Sequence, residues 1–262
     1  MSTADSPGVA LVTGATSGIG LEVTRRLAAR GMRVFICART AENVSSTVKT
    51  LSDEGLRVAG TAGDVRSRES VNRVVQAAVD RFGPLSILVN NAGRSGGGVT
   101  AQITDELWQD VIDSNLTSVF LVTRECLTTG GLDRSPSGRI INIASTGGKQ
   151  GVPFGAPYSA AKGGVIAFTK ALAKELAQTG VTVNAVCPGY VETPMAERVR
   201  QSYAATRGIT EEQVLTEFNA KIPLGRYSTP EEVAGLVEYL TTDTAASITA
   251  QALNVCGGLG IF

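Results

Sequence analysis

Short apolar runs and helical stretches alternate along the chain. V-A-L-V-T (9–13) is a β-branched run ended by a glycine, and the segment from Ile19 to Arg30 carries apolar positions at helical spacing, which reads as strand, glycine-rich turn and helix. The unit recurs. R-V-F-I-C (33–37) precedes a polar helical segment, R-V-A-G-T (57–61) precedes the helical pattern of 68–82, and L-S-I-L-V-N (85–90) precedes a helical stretch from Thr104 onward. R-I-I-N-I-A (139–144), V-T-V-N-A-V (181–186) and A-L-N-V (252–255) add three more runs. The connections are long enough for crossovers between parallel neighbours. The pattern predicts an α/β fold, a single domain over 1–262 built on a doubly wound parallel sheet of seven strands with helices on both faces. Residues 195–221 depart from the alternation; helical in pattern and rich in charge, they are expected to form a helical lid over a substrate site.

Composition acts mostly by exclusion. Apolar residues make up 43% of the chain and glycines number 30, enough for a packed core with many tight turns. Twenty-four basic residues balance 24 acidic ones, so no net field draws nucleic acid or an anionic membrane. The opening M-S-T-A-D-S-P-G lacks a basic region and the first apolar run stops at Gly14, so neither signal peptide nor membrane span is expected and the cytoplasm is the expected location. Cys37, Cys126, Cys187 and Cys256 lie far apart, which points to buried, reduced thiols rather than a disulfide framework or zinc site. The chain has no histidine. That removes Ser-His-Asp and Cys-His catalysis together with imidazole metal sites, and no metal is expected. Acid–base chemistry falls to Tyr, Lys, Asp, Glu or Cys.

T-G-A-T-S-G-I-G (13–20) sets Gly14, Gly18 and Gly20 at a strand-to-helix junction. Glycine lets backbone approach a pyrophosphate, and the helix beyond offers free N–H groups and a positive dipole end. The spacing G-x-x-x-G-x-G differs from the commoner G-x-G-x-x-G, and a glycine cluster alone is also compatible with a plain turn. In an NAD site an acidic residue ending the second strand binds the ribose hydroxyls. Here that place reads C-A-R, with Ala38 where the acid would stand and Arg39 beside it. A guanidinium holds a 2′-phosphate that an acid would repel, so NADPH is the expected cofactor.

Y-S-A-A-K places Tyr158 and Lys162 four residues apart, on one helix face with Cβ atoms about 5–6 Å apart. An ammonium beside a phenol favours the phenolate, so the phenol pKa, ordinarily about 10, is expected to fall toward neutrality, where tyrosine exchanges protons as histidine usually does. The same spacing also suits an ordinary amphipathic helix. Ser145 follows the strand 139–144, at the carboxyl end where parallel sheets bind ligands, and its hydroxyl can hold a substrate carbonyl. Asn115 falls on an apolar stripe of Leu107, Val111 and Val119, where a buried amide must find hydrogen-bond partners. N-N-A-G (90–93) ends the fourth strand with two amides placed to line the cofactor.

These motifs and P-G-Y-V-E-T (188–193) occur in the order and spacing of the classical short-chain dehydrogenase/reductase family, which the chain resembles over nearly its whole length. The resemblance implies a Rossmann-like fold, with Tyr158 as general acid for ketone reduction, Lys162 lowering its pKa and holding the nicotinamide ribose, and Ser145 polarising the carbonyl. Asn115 would hold a water that relays protons to Lys162. It assigns cofactor contacts to Thr13, Gly14, Ser17, Gly18, Ile19 and Gly20 in the first turn, to Arg39, Asp64 and Val65, and to Asn91, Ala92 and Gly93. Pro188, Gly189, Val191 and Thr193 complete the set, Asp64 against adenine and Thr193 against the carboxamide. The family implies a homotetramer, and Gly163 and Gly164 are read as points of close approach in such packing.

A narrower resemblance is carried by R-S-G-G-G (94–98), A-S-T-G-G-K-Q-G-V (144–152) and T-A-Q-A-L-N-V-C-G-G-L-G (249–260). These look like the ketoreductases of aromatic, type II polyketide biosynthesis, which reduce one ketone of a poly-β-keto chain held on an acyl carrier protein. The match departs at Ser95, where that pattern has proline before two glycines, here Gly96 and Gly97; this loop is expected at the substrate site, and the departure leaves the stereochemistry open. Carrier proteins are acidic, so a neutral reductase needs local basic groups to receive one; Arg66 and Arg94, after the third and fourth strands, are the expected docking residues. Two alternatives stay open: a 3-oxoacyl-carrier-protein reductase of fatty-acid synthesis, and a dinucleotide-binding regulator without turnover.

Overall fold

A computed structural model describes residues 8–260; the remaining positions of the expected domain, 1–7 and 261–262, lie outside the described residues. Strands β1 (Val9–Thr13), β2 (Arg33–Ala38), β3 (Val58–Ala62) and β4 (Ile87–Asn90) alternate with helices α1 (Gly18–Ala29), α2 (Ala41–Asp53) and α3 (Arg68–Phe82). A long helical segment follows, α4 (Asp105–Ile112) and α5 (Ser118–Leu127), then β5 (Arg139–Ile143), a short α6 (Gly147–Gln150) and α7 (Ala156–Leu176). β6 (Thr182–Pro188), α8 (Pro194–Arg207), α9 (Glu211–Asn219), α10 (Pro230–Leu240) and β7 (Ala252–Val255) complete the order.

The seven strands form one sheet in the order β3-β2-β1-β4-β5-β6-β7, and every pairing is parallel, as the strand–helix alternation predicts. Strand periodicity then divides the core. Val12, Ile36, Val89 and Ile141 face the layer of α1, α2 and α10, where Leu27, Leu51 and Val237 are fully buried. Leu11, Phe35, Leu88 and Ile140 face α3, α5 and α7, against Val75, Val122 and Leu172. A fully buried side chain of this size contributes about 1.5–3 kcal/mol, so slipping one strand by a residue would exchange these sets at prohibitive cost.

The order reverses between β1 and β4, which opens a crevice at their carboxyl ends. All four cysteines are free and buried, and burial pushes the Cys37 thiol up to about 12. No described helix is long and apolar enough to cross a membrane.

Two expectations take a more specific form. The stretch 195–221 is two helices, because Gly208 takes a left-handed φ of 66° and ends α8 before Thr210 and Gln213 begin α9 with a capping box. Gly163 and Gly164 are accounted for inside the chain: a Cβ on Gly163 would stand 3.2 Å from the Gly148 oxygen, and one on Gly164 would stand 2.8 Å from the Leu116 side chain. Their smallness admits α6 and the Asn115 segment to α7.

Candidate active site

The crevice is lined by the turn after β1 and the loop after β4, and the two are stitched together. Thr13 Oγ1 accepts from the backbone N–H groups of Asn91 and Ala92 at 3.1 Å each. Asn91 Nδ2 donates to the Thr13 and Gly14 carbonyls at 3.0 and 2.9 Å. Gly14 sits at φ 63°, and a Cβ there would lie 2.9 Å from the Ala92 backbone; a Cβ on Gly20 would meet both Gly14 O and Asn91 Nδ2 at 2.4 Å. Ser17, the N-cap of α1, is exposed and its side chain caps no N–H. The helix thus presents a hydroxyl and unpaired N–H donors in a cradle that side chains would fill, which fits a dinucleotide pyrophosphate. Ile19 follows on the same turn, packed against the β1 core. Asn90 differs from expectation: it faces inward, donating 2.9 Å bonds to Thr123 and Asn142, because alternation along β4 turns it away from the crevice.

Arg39 is exposed at the end of β2, close enough for its charge to act on Asp64. Asp64 is gripped by Arg66, whose Nη2 donates at 2.6 Å, and this holds the Asp64 carboxyl below its usual range. Val65, between them, packs against the core under α3 and α5. On the opposite wall, Thr146 N donates to Pro188 O at 3.0 Å and Gly189 N to Val255 O at 3.0 Å, so the loops after β5 and β6 are fixed to each other and to β7. Val191 is buried. Thr193 caps α8 by accepting from Ala196 N, and its methyl would touch a Cβ on Gly18 at 3.1 Å. The first turn of α8 therefore stands directly over the glycine turn.

Ser145, Tyr158 and Lys162 converge at the carboxyl end of β5. Ser145 Oγ accepts from Gly147 N at 3.0 Å, which leaves its hydroxyl proton to donate; it is hydrogen-bonded to the Tyr158 phenol. Tyr158 is in the first turn of α7, and Lys162, one turn on, is 5% exposed with its ammonium 5.9 Å from the phenol ring centre. Lys162 Nζ donates to the Ile143 carbonyl at 2.7 Å.

The expected electrostatics are corrected here. Burial pushes the Tyr158 phenol up, Ser145 only partly offsetting it, and burial pushes Lys162 down to about 8. The phenol thus stays protonated at neutral pH, which is the form a proton donor needs. Cys187, nearby, is also held protonated by burial.

Asn115 is fully buried, but the stripe it was read from is not an α-helix throughout. Residues 113–117 form a π turn between α4 and α5, and such bulges re-aim side chains. Asn115 Nδ2 donates to Val111 O and Arg94 O at 2.9 and 3.0 Å, and its Oδ1 accepts from Arg94 N at 3.2 Å. That oxygen would lie 2.6 Å from a Cβ on Gly93, with Lys162 Nζ 3.6 Å from the same point. Asn115 therefore fastens the 93–94 backbone beside Lys162.

Arg66 and Arg94 meet on one carboxylate: Arg66 donates to Asp110 at 2.7 Å, and Arg94 ion-pairs with its other oxygen. Both are exposed on the rim, with Ser95 beside them and Gly96 and Gly97 packed under Val111 and Phe154. Helices α8 and α9 and the loops flanking them hold groups the sequence reading missed. Arg200, 7% exposed, is clasped by Glu192 at 2.8 Å and Glu211 at 3.0 Å, beneath stacked Tyr190, Phe218 and Tyr227 rings about 5 Å apart. The acidic partners are eight and eleven residues from Arg200 and on different elements, so no local spacing announces them. Among the described residues no group of three His, Cys, Asp or Glu gathers as a metal site would.

Comparison with known proteins gives one family. The family model for short chain dehydrogenase matches residues 8–204. A protein of Streptomyces virginiae assigned as the ketoacyl reductase of the monensin polyketide synthase is 69% identical over 97% of both chains. A 3-oxoacyl-[acyl-carrier-protein] reductase of Synechocystis is 42% identical, covering 99% of this chain and 100% of the other. The crystal structure of a Phe-to-Trp variant of the actinorhodin polyketide ketoreductase with NADPH superposes with a TM-score of 0.95, at 56% identity and 98% coverage of each chain.

Proposed function

The chain belongs to the short-chain dehydrogenase family, and on that premise we propose that it is an NADPH-dependent ketoreductase acting on a poly-β-keto chain carried by an acyl carrier protein in aromatic polyketide biosynthesis. The observation that carries the reading is the convergence of Ser145, Tyr158 and Lys162 beside the glycine cradle, in a chain 69% identical to a polyketide ketoacyl reductase.

NADPH held in the cradle would supply the hydride that the carbonyl carbon accepts. Ser145, oriented by Gly147 N–H, donates to the carbonyl oxygen and draws negative charge onto it. Tyr158 gives its phenolic proton to that oxygen. The phenolate left behind is stabilised by the Lys162 ammonium one turn away. Thr13, Gly14, Ser17, Gly18, Ile19, Gly20, Asp64, Val65, Asn91, Ala92 and Gly93 hold the dinucleotide, with Pro188, Gly189, Val191 and Thr193 on the nicotinamide side. Helices α8 and α9 act as the lid. A homotetramer is supported by Trp108 and Phe120, which stand 42% and 44% exposed on α4 and α5.

Arg39 binds the 2′-phosphate. Arg39→Asp is expected to lower the NADPH-to-NADH preference in kcat/KM by roughly 100-fold, the scale of a lost charge-assisted bidentate contact plus repulsion. An unchanged ratio would make Arg39 plain surface. For the carrier, Arg66 and Arg94 are the receiving groups, released from Asp110 as the carrier's phosphate arrives. Arg94→Glu is expected to raise KM for a carrier-bound substrate, relative to a small free ketone, roughly tenfold; equal changes on both would remove the docking role.

Mixing the protein with NADPH and a bicyclic ketone, and following reduced-nicotinamide absorbance, tests the activity. Steady oxidation is expected. Tight NADPH binding without turnover would favour a regulator. Reduction of fatty-acyl chains, the second reading, has the 42% relative in its favour, and a preference for short 3-oxoacyl thioesters over the bicyclic ketone would select it.

A further inference from the structure

The segment V-P-F-G (152–155), which precedes Tyr158, forms a tight turn closed by Gly155 N donating to Val152 O at 2.9 Å. Proline occupies its second position and Phe154 its third, with φ at +61°. A turn with that sign of φ ordinarily takes glycine or asparagine there. A bulky side chain in the left-handed region is strained, and such strain persists where the surroundings hold it and tends to mark functional segments. The surroundings do hold it. Gly98 N donates to the Phe154 carbonyl at 2.7 Å, and a Cβ on Gly97 would stand 2.0 Å from that oxygen, so the loop after β4 clamps the turn.

The strain gains the fold nothing visible, because the ring packs into no core. Phe154 is 65% exposed; Val152, two residues before it, is 40% exposed, and Val99, next to the clamping Gly98, is 49% exposed. The turn nevertheless reaches the reacting groups. A Cβ on Gly147 would lie 2.8 Å from the Val152 side chain, 3.3 Å from Ser145 Oγ and 3.5 Å from the Tyr158 ring. Val152 thus stands beside Ser145 and Tyr158, and the exposed Phe154 follows two residues on.

We propose that Phe154 is a specificity-determining residue, its ring an apolar platform at the cleft mouth for the planar, enolised 1,3-dicarbonyl units of a long poly-β-keto chain. This rests on the polyketide reading above. An enolised 1,3-dicarbonyl is flat and conjugated, so an aromatic face is the surface that matches it. A small ketone fills only the inner site and does not reach the ring.

The test compares native protein with Phe154→Gly, Phe154→Asn and Phe154→Trp, reading kcat/KM for a bicyclic ketone and for a small monocyclic ketone, with Tm and solution mass. Glycine and asparagine accept the left-handed φ, so neither should lower Tm. The bicyclic-to-monocyclic ratio should fall about tenfold in both, the scale of losing one ring contact, and Phe154→Trp should keep it. An unchanged ratio, equal loss on both substrates, a lowered Tm or an altered solution mass would each overturn the proposal, the last two by making Phe154 a structural or subunit-contact residue. Failure of the polyketide reading appears separately, as native protein that does not oxidise NADPH with the bicyclic ketone, and that result removes the proposal with it.

Discussion

Tyr158→Phe is expected to cut ketone reduction about 1,000-fold or more while NADPH binding stays within about twofold of native, the upper range for loss of a general acid. The substitution removes one oxygen and leaves the ring in the first turn of α7. Ser145 keeps its bond from Gly147 N and still polarises the carbonyl, so binding survives without the proton. The loss should fall on kcat and kcat/KM alike, with KM little changed, because the proton is needed only in the transition state. Stopped-flow NADPH oxidation and cofactor titration read the two quantities separately. A residual rate within tenfold of native would mean that another group donates the proton. Equal loss of NADPH binding would mean that the phenol holds the cofactor rather than the reacting oxygen.

Lys162→Met should be nearly as severe, about 100-fold to 1,000-fold in kcat, because the phenolate formed in the reaction loses the charge that stabilises it. The native pH profile follows from the same group. With its ammonium pushed down to about 8 by burial, reduction should decline as pH rises through about 8. The Met variant should lack that limb. Stability separates this from misfolding. Lys162 has a folded pKa of about 8 against an ordinary 10.5, so the unfolded chain holds the proton more firmly. This group therefore opposes folding fully below about 8, and the penalty is relieved as pH climbs toward 10.5. The Met variant should match or exceed native Tm at pH 7, with its advantage shrinking by pH 10. A variant less stable at pH 7 would mean that the 2.7 Å bond to Ile143 O outweighs the burial cost.

The sheet was legible because alternation and crossover length are local properties, and strands 9–13 and 33–37 emerge essentially where the runs place them. Ser145, Tyr158 and Lys162 were legible as a set because one is at a strand end and two share a helix face. What escaped depends on three dimensions. The π turn at Asn115 inserts a residue into a helix whose side chains carry no mark of it. The Asn90 amide follows β4 pleating into the core, although its neighbour Asn91 does stitch the cofactor turn. Ion pairing of Arg66 and Arg94 through Asp110 joins three segments that spacing does not connect. The phenol's pKa turned on burial, which a helical wheel does not contain, and Phe154 stood in the sequence as an ordinary loop residue until its φ was known.

The most direct test supplies the native protein with NADPH and a poly-β-keto chain made on an acyl carrier protein by a minimal polyketide synthase, and reads product mass against NADPH consumed. The account predicts a product two hydrogens heavier, one carbonyl replaced by a hydroxyl, at one NADPH per chain and absent with Tyr158→Phe. Identical products with and without the protein, with NADPH unspent, would contradict it.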